Sequence, residues 1–118
     1  MKPIKFPKNY FNFNDTENPL SIFNVFDNIR EWAKTRGLYD KGDVKTQYVK
    51  LGEEFGELGK AIINKDSYEI EDAIGDIVVV LTNLAHLHGT DIEHCIISAY
   101  NEIKDRKGKM DNGSFVKE

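Results

Sequence analysis

After Pro19 the chain contains no proline, and through that stretch apolar residues recur every three or four positions. Only an α-helix gathers such residues on one face, because its period is 3.6 where a strand's is 2. Ile22, Phe23, Phe26, Ile29 and Ala33 mark a first helix. Asn18 suits its N-cap, Pro19 its first helical position, and Gly37 its stop. A second helix begins near Asp43 and carries Val44, Tyr48, Leu51, Phe55, Leu58 and Ile62 at helical spacing. The pattern breaks at Asn64 to Ser67, where Asp66 and Glu69 form a capping box for a third helix. Ile70, Ile74, Ile77, Leu81 and Leu84 give that helix its apolar face. Its β-branched run, Ile77 to Val80, has strand tendency, but the sustained 3.6 period decides for helix. Gly89 ends it. Thr90 and Glu93 form a second capping box, and Ile92, Ile96, Ala99 and Ile103 mark a fourth helix ended by Gly108. The spacing therefore predicts an all-α, four-helix-type bundle with short links.

A length of 118 residues favours one domain with a modest core. Residues 1–18 read as an irregular N-terminal arm, 19–110 as the helical domain and 111–118 as a C-terminal tail. In the arm, Tyr10-Phe11-Asn12-Phe13 is apolar enough to rest on the body or on a partner chain. In the tail, Asp111-Asn112-Gly113 reads as a turn and a loose end. The net charge of −4 gives no electrostatic case for nucleic-acid binding. No apolar run approaches the roughly 20 residues that cross a bilayer, so no membrane partner is expected. Met1 to Tyr10 does not resemble a signal peptide. The single cysteine, Cys95, excludes an internal disulfide framework and fits a cytoplasmic location. A buried, inert thiol is expected there.

The chemistry-bearing residues lie on the second and third helices. Leu51, Phe55 and Leu58 set the core direction of the second. Glu54 falls roughly 60° from that direction and Glu57 roughly 120°, on the same side, while Glu53 points to solvent. Carboxylates at i and i+3 on such a border can share a hard cation. On the third helix, Glu69, Asp72, Asp76 and Asn83 form one stripe beside the line through Ile70, Ile77 and Leu84. Side by side, the two acidic stripes would repel each other without a counter-ion, and an all-oxygen donor set selects Mg²⁺ or Mn²⁺ over zinc. A plain solvated face is the other reading of the same residues, and Glu69 is the natural partner of Asp66 in the capping box.

A basic cluster, Lys104, Arg106, Lys107 and Lys109, ends the fourth helix. It either complements the helix dipole or grips phosphate. Trp32 is expected in the core, with base stacking as the alternative. His86, His88 and His94 fall on different faces and make no metal site.

The segments Glu53-Glu54-Phe55-Gly56-Glu57-Leu58 and Asp72-Ala73-Ile74-Gly75-Asp76-Ile77-Val78-Val79-Val80-Leu81 resemble the MazG-like nucleotide pyrophosphohydrolases of the all-α NTP pyrophosphatase superfamily. Asn101 to Met110 is similar to that family's last core helix, and the resemblance covers roughly residues 20 to 110. It implies a dimeric or tetrameric helical bundle. It also implies Mg²⁺-dependent hydrolysis of a nucleoside triphosphate to monophosphate and pyrophosphate. By position it makes Glu54, Glu57 and Asp76 metal ligands, with Glu53 or Glu54 as the base. The family's second-motif Glu falls here on Ala73, so Asp72 or Glu69 would have to substitute. Lys104, with Arg106 or Lys107, becomes the phosphate-binding candidate, and Asn83 and Asn101 substrate contacts. A dUTP/dCTP or phosphoribosyl-ATP pyrophosphatase is the nearest alternative. Ala73 also keeps open a non-catalytic binding module with a degenerate metal site.

Overall fold

The computed structural model describes residues 22–118. The irregular arm over residues 1–18 and the Asn18-Pro19 helix start lie outside the described residues. In chain order the elements are α1 (Ile22–Thr35), α2 (Leu38–Lys41), α3 (Val44–Ile63), α4 (Ser67–Leu87) and α5 (Ile92–Ile103). A hairpin of β1 (Gly108–Asp111) and β2 (Ser114–Lys117) follows. The fold is all-α, as the apolar period predicts, with one-turn α2 inserted between the first two long helices. No described helix is long and apolar enough to cross a membrane.

Local chemistry explains the boundaries. Asp43 caps α3 by accepting from the Thr46 amide at 2.7 Å, and Asp66 caps α4 by accepting from the Glu69 amide at 3.1 Å. The Glu69 side chain, however, does not close a capping box. The Asp66 amide is already taken by the Ala61 carbonyl at 3.0 Å, part of the turn that ends α3, with Lys65 in the left-handed region at φ 54. The same arrangement ends α4. Thr90 donates its amide to Ala85 and Gly89 donates to His86, both at 3.0 Å, with Gly89 at φ 92. Thr90 is thereby spent on α4, and Asp91 caps α5 instead, accepting from the His94 amide at 2.7 Å. The expected Thr90–Glu93 box is not formed.

α4 is the central helix, touched by α1, α2, α3 and α5. The core is built from small side chains, Ala33 on α1, Ala61 on α3 and Ala73, Val80 and Ala85 on α4, together with Ile92 on α5. Small residues let helix axes approach closely but bury little area each.

Several expected core residues lie outside it. Trp32 is 48% exposed, its ring covered by the Arg36 guanidinium 4.4 Å from the centroid, while neighbouring Ala33 takes the inward position. Phe55 is 70% exposed. Cys95 is exposed rather than buried, because α5 makes close contact only at its start. Every residue from His94 to Ile103 is exposed. The tail is not loose: Asn112 and Gly113, both at positive φ, form a two-residue loop that joins paired strands, with Met110 opposite Phe115. α5 ends at Ile103, before Gly108.

Candidate active site

Among the buried or half-buried positions along α3, Gln47, Leu51, Glu54, Leu58 and Ala61 are spaced i, i+4, i+7, i+11 and i+14. That spacing suits the seam of a packed helix pair, and Ile70, Ala73, Ile77, Val80 and Leu84 are covered positions of α4 at matching spacing. Glu54 therefore lies in the seam itself, nearer the core than its sequence position suggests. Its side chain is 13% exposed, against 63% for Glu53. Glu53 points outward as expected.

Lys50 serves both glutamates. Its ammonium stands 3.2 Å from Glu54 Oε1 and 3.5 Å from Glu53 Oε2, and the Glu54 hydrogen bond raises the lysine pKa. Across the seam, Glu54 lies close enough to Asp76 to act on its carboxyl. The Asp76 carboxyl titrates above the usual range. Partial withdrawal from water is the largest cause, followed by the charges of Asp72 and Glu54, with Lys50 acting in the opposite sense. Two expected ligands, Glu54 and Asp72, thus act electrostatically on a third, Asp76. Glu57 lines a separate cavity of about 230 Å³ with Glu69, Asp66, Lys60, Ala61 and Asn64. Asp72 and Asp76 also edge a groove of about 540 Å³ whose walls are Val25, Phe26 and Ile29 of α1 and Gly75, Val78 and Val79 of α4.

Among the described residues, no three His, Cys, Asp or Glu side chains converge closely enough to hold a metal ion as they lie. By chemistry the donor set nevertheless fits a hard divalent cation. It offers carboxylate oxygens, and their mutual repulsion at Asp76 is the imbalance that such a cation relieves. Ala73, at the position of the family glutamate, is 4% exposed and offers no donor.

The candidate substrate contacts are dispersed. Asn83 is 2% exposed, and its Oδ1 accepts from the Tyr39 hydroxyl at 2.7 Å. It supports the α2–α4 contact and presents no surface to a ligand. It shares the stripe of Asp72 and Asp76, but α2 covers that end of α4. The Tyr39 ring also stacks on His86, with centroids 3.9 Å apart. Asn101, Lys104, Arg106 and Lys107 are all exposed at the far end of α5. Among the described residues, no hydrogen bond or ion pair joins them to the acidic side chains of α3 and α4. The residue missed in the sequence is Lys50. Its spacing of three and four residues before Glu53 and Glu54 was signal enough. Tyr39, 44 residues from Asn83, gave no such signal.

A family model described as phosphoribosyl-ATP pyrophosphohydrolase matches residues 25–114, which include both acidic helices. An uncharacterized 18.2 kDa protein from the rep-hol intergenic region of Haemophilus phage HP1 (strain HP1c1) is 39% identical over 64 residues. The aligned part is 54% of this chain and 39% of that relative, so the chain spans about two fifths of the relative's length. No solved structure matches the chain. With three quarters of its length matched, the chain belongs to the phosphoribosyl-ATP pyrophosphohydrolase family, within the MazG-like all-α NTP pyrophosphatase superfamily.

Proposed function

We propose that the chain hydrolyses the bond between the α- and β-phosphates of a nucleoside triphosphate, converting (d)NTP to (d)NMP and pyrophosphate with Mg²⁺. The observation that carries this reading is the Glu54–Asp76 contact across the α3–α4 seam, with Asp72 and Lys50 beside it, in a chain of a pyrophosphohydrolase family. Glu54, Asp72 and Asp76 would hold Mg²⁺, or Mn²⁺ in its place, with Glu57 as the further donor. The ion supplies positive charge against the triphosphate and the clustered carboxylates. Glu54, fixed in the seam, or Glu53 at its solvent edge takes the proton of the attacking water. The apolar groove beside Asp72 and Asp76 offers the base a dry wall.

Lys104, Arg106 and Lys107 are proposed to stabilise the leaving pyrophosphate. The exposed end of α5 carries them clear of the acidic residues of its own chain. A homodimer or homotetramer, in which a second copy brings them in, is therefore part of the proposal. Exposed Ile96, Ile97, Tyr100 and Ile103 on α5 support self-association. Work on nucleotide pools would place the protein in the cytoplasm. A second substrate, phosphoribosyl-ATP, is favoured by the family description itself.

The deciding experiment incubates the purified chain with each NTP, each dNTP and phosphoribosyl-ATP, with and without Mg²⁺, and follows monophosphate and pyrophosphate release. Glu54→Gln and Glu57→Ala are the controls. Metal-dependent turnover lost in Glu54→Gln supports the reading, and the rank of substrates separates its two versions. A folded protein that turns over none of them is instead a binding module with a degenerate metal site.

A further inference from the structure

Lys50 lies on the outer edge of the seam with its side chain half exposed, whereas its partner Glu54 is largely covered. The ammonium is therefore the movable half of the pair. Helix stability gives little reason for the contact, since a lysine four residues before a glutamate is the less favourable order along a helix. Lys50 also answers a local excess of charge. Glu54 and Asp72 both act on Asp76, and Lys50 is the cation that opposes them there. Of the α3 lysines with described side chains, Lys45 and Lys60 make no ion pair, and Lys50 makes two.

We propose that Lys50 is the resident counter-ion of the metal-free site, and that its ammonium and the divalent cation compete for the Glu54 carboxylate. The proposal rests on the metal reading given above and adds a residue that tunes it. Lys50 stabilises the carboxylates while the ion is away and swings outward along its own stem as the ion arrives. The metal affinity measured for the wild-type chain is then the intrinsic affinity reduced by the work of displacing Lys50.

The test is calorimetric titration of the full chain with Mn²⁺, comparing wild type, Lys50→Met, Lys50→Gln, Lys50→Arg and a charge control, Lys45→Met. Removing one unit charge at this distance should tighten Mn²⁺ binding about three- to tenfold in Lys50→Met and Lys50→Gln. Lys50→Arg and Lys45→Met should stay close to wild type. The rise in melting temperature on adding Mn²⁺ should also be larger in Lys50→Met than in wild type. Unchanged or weaker Mn²⁺ binding in both neutral variants overturns the proposal while leaving the metal reading intact. Absence of Mn²⁺ binding in wild type as well as in every variant overturns both.

Discussion

Arg30 on α1 and Glu93 in the first turn of α5 form a two-pronged ion pair, Nη1 to Oε1 and Nη2 to Oε2, both at 2.7 Å. Asp27, one turn earlier on α1, receives the same Nη2 at 2.7 Å. Arg30 is mostly covered and Glu93 less so, and the pair ties α5 to α1. Forked geometry of this kind is the better class of ion pair. The Glu93 carboxyl sits below its usual titration range, chiefly because of the Arg30 hydrogen bond.

Loss of that tie should be measurable and pH-dependent. Glu93→Gln should lower stability at neutral pH by about 1 kcal/mol, discounted for solvent screening. Because the folded-state pKa is depressed, the pair's contribution is fully present above the unfolded carboxylate range. It is lost as pH falls through the lower folded value. Denaturant melts of wild type and variant should therefore differ at neutral pH and converge in acid. A gap that persists at low pH would assign the effect to packing.

Ala73→Glu is the reverse experiment on the site. It adds a carboxylate at a buried position of α4, three residues before Asp76, where the resemblance places a glutamate. Without metal the added charge should destabilise the fold by about 1–3 kcal/mol. Mg²⁺ should recover much of that loss and raise the melting temperature more than it does in wild type. Equal shifts in both proteins would mean that position 73 does not face the ion.

Tyr39→Phe removes the hydroxyl that satisfies Asn83 Oδ1. Leaving a buried carbonyl unpaired should cost about 1–3 kcal/mol in a denaturant melt. Adding Asn83→Leu should restore part of it, since the double variant has no orphaned polar group. Additive losses would show that the two side chains act independently.

Gly52 and Gly56 lie inside α3 with open space where a Cβ would stand. Either Gly→Ala change should raise stability by about 0.5–1 kcal/mol, through a less flexible unfolded chain and better helix propensity. A loss of stability, read by calorimetry together with sedimentation, would indicate that a second copy covers this face.

What the sequence revealed followed the range of the forces involved. Asp43 and Asp66 were legible as helix starts because a cap acts over three residues. Asp91 was missed by one position because the turn ending α4 claims Thr90 first, a competition that periodicity does not register. Periodicity also gives a helix a face without saying whether a neighbour covers it. Trp32, Phe55 and Cys95 are misplaced for that reason, on helix faces that no described neighbour covers. Helical spacing places Glu54 and Asp76 on stripes that the structure brings near each other, and it turns Glu53 outward, where it lies. Asn83 lay on the right stripe but under α2, and only the tertiary arrangement separates it from Asp76. The Asn112-Gly113 pair carried the hairpin signal and was read only as a turn.

The two helices that carry the acidic residues are consecutive in the chain, joined through Asn64, Lys65 and Asp66. Closing so short a loop costs little entropy, and contacts between near neighbours in sequence form fast. The helical hairpin of α3 and α4 is thus the natural first event of folding. Formed first, it would bring Glu54 against Asp76 before α1 and α5 dock. The chain would then meet its own charge repulsion early, and the divalent cation proposed for this site would relieve it there first.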